Sequence, residues 1–139
     1  MQAFGGADKQ AMEYAAMKAV MDIERAQGFA PTDVSAQKCG YDIESVIPVE
    51  LRSDTRSLRF IEVKGRAKGS TTVTVSKNEI LTGLNKPEEF ILAIVEVDGA
   101  NTHTVYLKHP FRNAPDFSAT SVNFDIADLA AQAEVIYEK

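Results

Sequence analysis

A chain of 139 residues is long enough for one domain with its own core. Hydrophobic residues make up 45% and charged residues 25%, the balance of an ordinary globular domain, and no apolar run approaches the ~20 residues of a membrane span. The net charge of −5 argues against indiscriminate nucleic-acid binding, and the single cysteine, Cys39, excludes an internal disulfide framework and a cysteine-based zinc cage.

Residues 1–7 read as a flexible lead-in and residues 8–139 as a single domain, together a piece of a larger protein. The start carries no basic-then-apolar leader. The lone thiol fits a reducing, cytoplasmic (intracellular) setting. Residues 8–27 form a helix, capped by Asp8 and ended by Gly28. Met12, Ala16, Ala19 and Ile23 make one apolar stripe. Glu13, Met17, Val20 and Glu24 make the next, so Glu13 sits beside the buried face. Glu24 reads as a solvated helix glutamate. Residues 31–35 are a short extended piece.

Gly40 opens a strand over 41–47, with Tyr41, Ile43 and Ser45 on one face and Asp42 and Glu44 on the other. The polar stretch 48–56 turns the chain into a second strand, 58–64. Residues 65–70 are a basic loop, and 71–75 a β-branched strand. Ser76-Lys77-Asn78-Glu79 matches a capping box, which accounts for Glu79 structurally and starts a helix over 77–84. The run 89–97 is continuously apolar, as in a central strand covered on both faces. It turns through 98–101 into a hairpin partner at 102–107. Residues 108–115 are loop, 120–124 a small edge strand, and Asp125 caps a last helix to about residue 133. The order is helix, three strands, helix, two strands, helix.

The stretch Arg59-Phe60-Ile61-Glu62-Val63-Lys64-Gly65-Arg66 carries the chemistry. Residues two apart on a strand share a face, so Glu62 and Lys64 point one way and Ile61 and Val63 the other. Opposite charges are costly to bury unless paired or used. The preceding hairpin sets Asp42 on the neighbouring strand. Two such carboxylates can hold Mg²⁺ or Mn²⁺, which take oxygen ligands. A lysine beside them can orient water or steady a phosphate in phosphodiester hydrolysis. A plain cross-strand ion pair accounts for the same residues, and spacing leaves both readings open. Residues 38–77 hold eight cations and five anions. They make either a solvated mixed-charge surface or a basic rim for phosphates. His103 and His109 share no metal-ligand spacing with an acid cluster and read as surface or packing residues. Cys39 reads as a small packing residue. No nucleophile elbow, P-loop or dinucleotide fingerprint is present.

Gly40-Tyr41-Asp42-Ile43-Glu44-Ser45 followed by Arg59–Arg66 resembles the NO VEIN C-terminal domain family. Many of its members end superfamily 2 helicases and other large DNA-processing or defence proteins. The family is similar to a branch of the PD-(D/E)xK, restriction-endonuclease-like fold. The likeness continues through Asn78-Glu79 into the strand at 90–97. It implies an α/β domain with a mixed central sheet flanked by helices. It also implies a metal-dependent nuclease acting on DNA, with Asp42, Glu62 and Glu13 around the metal, Lys64 assisting the nucleophile, and Arg66, Lys68 and Lys77 on backbone phosphates. Glu24 competes with Glu13 as the helical acid. Tyr41 replaces the proline often found before the motif acid. The helix after the third strand carries Asn78 and Glu79 in place of the glutamine or lysine of some relatives. The implied partners are DNA and a helicase or other domains of the parent chain, with no membrane. The alternative is a non-catalytic nucleic-acid or partner-binding module of the same fold.

Overall fold

The structure is a computed structural model that describes residues 6–139. Of the lead-in expected over residues 1–7, residues 1–5 lie outside the described residues, and Gly6 and Ala7 already belong to the first helix. That helix, α1, spans Gly6–Ala26, and Asp8 sits in its first turn rather than capping it. An acid there still meets the positive end of the helix dipole. Gly28, at φ +91°, supplies the left-handed backbone that turns the chain out of the helix.

Six strands form the main sheet. β1 (Ala30–Asp33) pairs antiparallel with β2 (Ile43–Val46), and β2 with β3 (Leu58–Ala67). β3 runs parallel to β5 (Phe90–Asp98), which makes the sheet mixed. β5 pairs antiparallel with β6 (Asn101–Lys108), and β6 with β8 (Glu134–Glu138). Between β3 and β5 the chain crosses over through β4 (Thr72–Ser76) and α2 (Lys77–Asn85). β4 does not join the main sheet. It forms a separate two-stranded ribbon with β7 (Ser121–Asp125), the strand expected as a lone edge piece. α3 (Ile126–Gln132) follows, and the Asp125 carboxylate accepts the Asp128 N–H at 3.0 Å as its cap. Among the described residues no helix is long and apolar enough to cross a membrane.

β5 divides the core as its unbroken apolar run requires. Phe90, Leu92 and Ile94 join one cluster with Val73, Ile80 and Phe111. Ile91, Ala93 and Val95 join the other with Ala16, Val20 and Tyr106. α1 therefore covers one face, and α2, α3 and the ribbon cover the other. β3 outruns its expected end at Lys64, because its parallel register continues through Ala67 against Val97. β8 was not expected at all.

Two expectations about side chains are overturned. Glu24 is completely buried, not solvated. Arg59 donates to both its oxygens (2.8 and 3.1 Å) and the Tyr106 hydroxyl donates at 3.0 Å. The last turn of α1 lies over the sheet, where only a fully partnered carboxylate can remain. Tyr41 does not share the face of Ile43 and Ser45. β2 starts only at Ile43, so alternation does not reach back to Tyr41. Its ring stacks on Phe60 at 4.5 Å, on the α2 side of the sheet.

Candidate metal and phosphodiester site

The site forms where the sheet splits. β2 pairs with β3 only from Leu58 to Ile61. Beyond that, the β2-facing edge of β3 has no strand against it. Asp42, just ahead of β2, fills the first open position: its Oδ2 accepts the Val63 N–H at 2.9 Å. Its own N–H donates to the Ile61 carbonyl at 2.9 Å, which fixes its backbone to β3. The split gives access to the edge from both faces.

From the α2 face come Glu62, Lys64 and Glu79. The Lys64 ammonium lies 2.9 Å from Glu79 Oε1 and 3.4 Å from Glu62 Oε2. Glu79 is fixed by the capping box: its Oε1 accepts the Ser76 N–H (2.9 Å) and its N–H donates to Ser76 Oγ (3.1 Å). The expected structural role of Glu79 is present, and the same oxygen also holds Lys64. Sequence reasoning missed that second role, because a satisfied cap gave no reason to look further. Gly40, at φ +93°, lets the loop before Asp42 lie against α2, where a Cβ would collide with the Thr82 side chain. The glycine of the G-Y-D stretch thus sets the distance between Asp42 and the helix bearing Glu79.

From the other face comes α1. Gly65 brings it close, since a Cβ there would stand 2.9 Å from Ala16 Cβ and 3.3 Å from the Met12 carbonyl oxygen. Glu13 is exposed and lines a cleft of about 470 Å³ together with Asp42, Glu62, Lys64 and Arg66. Arg66 also donates to the Thr72 carbonyl (3.1 Å). Lys68 and Lys77 lie outside the walls of this cleft. Lys68 is exposed and paired with Asp98 at 3.5 Å, and Lys77 donates to the Phe117 carbonyl at 3.0 Å. His103 and His109 face Glu138 and Glu88 at 3.3 and 3.5 Å, away from the cleft. Cys39 packs with its Sγ 3.6 Å from the Tyr41 carbonyl.

Three carboxyl groups crowd one ammonium here. Burial, followed by the Asp42 and Glu79 charges, pushes the Glu62 pKa up to about 10, against the opposing pull of Lys64. Burial also raises Asp42, against the Val63 N–H. Burial works against the charge of Lys64, but the Glu62 and Glu79 carboxylates outweigh it and raise its pKa. Glu79 ends below its usual value: burial raises it, but hydrogen bonds from Glu62, Lys64 and the Ser76 N–H prevail. The cluster therefore retains a proton at Glu62 that a hard cation could replace. All-oxygen donors suit Mg²⁺ or Mn²⁺, ions that bind through one or two carboxylates plus water. Among the described residues no three ligating side chains already converge on a single point.

A family model described as Protein NO VEIN, C-terminal, matches residues 12–107. The matched span runs from α1 to the penultimate residue of β6 and includes Glu13, Asp42, Glu62, Lys64, Arg66 and Glu79. No curated protein and no solved structure matches the chain.

Proposed function

We propose that this chain, which belongs to the NO VEIN C-terminal family, is a metal-dependent nuclease domain that hydrolyses phosphodiester bonds in DNA. Its setting would be that of a domain appended to a helicase or a defence protein. The observation that carries the reading is the convergence of Asp42, Glu62 and Glu79 around Lys64 at an open strand edge, with more carboxylate than the lysine can neutralise. Asp42 and Glu62 would hold Mg²⁺ or Mn²⁺, with Glu13 completing the oxygen set from α1. A divalent cation there supplies Lewis-acid polarisation of the phosphoryl group and a lowered pKa for water. Lys64, held charged by the Glu79 carboxylate 2.9 Å away, orients the attacking water and faces the negative charge that develops on the phosphate. Asp42, tied to the β3 backbone by its own N–H and by its Oδ2, holds its carboxylate in place beside Glu62, which would give up its proton on binding a cation.

The test is cleavage of plasmid and single-stranded DNA with Mg²⁺ or Mn²⁺. The wild-type chain should cut, and Lys64→Ala should slow cutting by roughly 10²-fold or more. Cutting that survives Lys64→Ala removes the lysine assignment. DNA binding with no cutting under either metal favours a second reading, a non-catalytic binding module of the same fold. That reading draws on the lack of three pre-converged ligands among the described residues.

A further inference from the structure

The cleft between α1 and β3 does not end at the carboxylates. A second recess, about 210 Å³, continues past Asp42 and Glu62 to Lys38, Tyr41 and Asn78. A third, about 570 Å³, continues from Tyr41 along α2 to Leu81 and Lys86. Asp42 and Glu62 line both the first recess and the second, and Tyr41 lines both the second and the third. The three recesses therefore adjoin in series as a segmented groove, with Asp42 and Glu62 between the first and the second and Tyr41 between the second and the third.

The charges along the groove alternate in a particular way. Lys9 and Arg66 line one flank, the carboxylates occupy the middle, and Lys38 and Lys86 line the other flank. Lys38 and Lys86 are exposed and enter no ion pair among the described residues. Lys38 holds φ +51°, a backbone that residues other than glycine seldom adopt. A mononucleotide needs one cationic flank. Cations on both sides of an acidic centre match a chain of phosphates of which one is delivered to the carboxylates. Beyond the centre the wall becomes apolar. The Tyr41 ring, backed by Phe60, is followed by Leu81, whose surface is 41% exposed. In a duplex the base faces are stacked and the edges paired, so a ring inside a groove cannot reach them. In an unpaired strand each base offers a face.

We propose that the groove seats an unpaired nucleic-acid strand that passes through the reaction centre, with phosphates at Lys38 and Lys86 and a base against Tyr41. This rests on the nuclease reading and specifies its substrate form. The test is fluorescence anisotropy with a labelled 15-nucleotide oligonucleotide and its duplex. Ca²⁺ fills the oxygen site, and a gel shows the strand intact. The single strand should bind at least about fivefold tighter than the duplex. Tyr41→Leu should weaken it at least about fivefold. Lys38→Asn should reduce the salt dependence of log Kd by about 0.7; asparagine accepts the left-handed backbone at this position. Should Tyr41→Leu fail to fold, Lys38→Asn and Lys86→Ala decide. Equal or tighter duplex binding, binding indifferent to these changes, or no oligonucleotide binding overturns the groove. Cleavage is read separately with Mg²⁺ or Mn²⁺. Cutting without the groove effects sinks only the groove, and the groove effects without cutting sink only the nuclease.

Discussion

Burial lifts the Glu62 pKa from 4.5 to about 10, so at neutral pH the folded chain holds a proton there that the unfolded chain has released. A group whose folded pKa is raised binds more protons when folded. Its contribution to stability is complete below about pH 4.5 and is lost as pH rises towards 10. In a chelator, the melting temperature of the wild-type chain should therefore fall between pH 6 and pH 9. Glu62→Gln, neutral throughout, should flatten the fall and melt higher than wild type at pH 9. Mn²⁺ should raise the wild-type melting temperature at pH 8 and do so much less for Glu62→Gln. A wild-type profile as flat as that of the variant would show that burial does not control this carboxyl. At this scale the sequence was legible where period-two spacing applied: Glu62 and Lys64 do share a face. It was not legible for Glu79, whose capping box is sufficient by itself and hides the contact to Lys64. Nor was it legible for Glu24, because nothing local distinguishes a glutamate pointing at water from one pointing at a guanidinium 35 residues further on.

α1 is fastened to the sheet at two points with different consequences for the site. At its C-terminal end, Glu24 is enclosed by Arg59 and Tyr106, while the Arg59 guanidinium also lies 4.5 Å from the Phe29 ring. Glu24→Ala leaves a largely buried guanidinium and a buried hydroxyl without their partner. It should cost about 3–5 kcal/mol in urea unfolding. A loss under about 1 kcal/mol would mean that Arg59 finds water instead. At the other end, Gly65 permits the approach of the turn carrying Met12 and Glu13. Gly65→Val drives side-chain atoms into the Met12 carbonyl and Ala16, and backbone has little room to give. It should cost about 1–3 kcal/mol and slow cleavage more than its stability loss explains, because α1 carries Glu13 away with it. Glu24→Ala, once folded, should keep its cleavage rate. The elements themselves were mostly readable from periodicity, capping and turn residues, and the central strand from its unbroken apolar run. β3 was cut short because Gly65 reads as a breaker, although the parallel register to β5 carries the strand past it. β4 and β7 were seen as strands but not as each other's partners, a long-range choice that no local signal encodes. β8 was missed because Val135, Ile136 and Tyr137 lack a clean alternation, and the pairing with β6 is itself irregular between Tyr106 and Leu107.

For the whole molecule the question is how an acidic protein meets a polyanion. The net charge is −5, and residues 38–77 carry three more cations than anions, so the rest of the sequence carries −8. The net negative charge repels nucleic acid away from local clusters of cations, which favours few contacts over many. Of the cations first considered for phosphate contact, Lys68 is tied to Asp98 and Lys77 to the Phe117 carbonyl, while Arg66 lines the cleft. Besides Lys64, which is held by Glu62 and Glu79, the cations that line the groove are then Lys9, Lys38, Arg66 and Lys86. Each phosphate neutralised on a single strand contributes about −0.7 to the slope of log binding constant against log salt, so four contacts set a slope of about −3. Measured with the 15-nucleotide strand between 50 and 300 mM NaCl in Ca²⁺, the slope should be no steeper than that. A slope of −5 or beyond would require more phosphates than the groove can neutralise. The strand would then lie across another face, and the acidic surface would not be acting as the barrier that the charge distribution makes it.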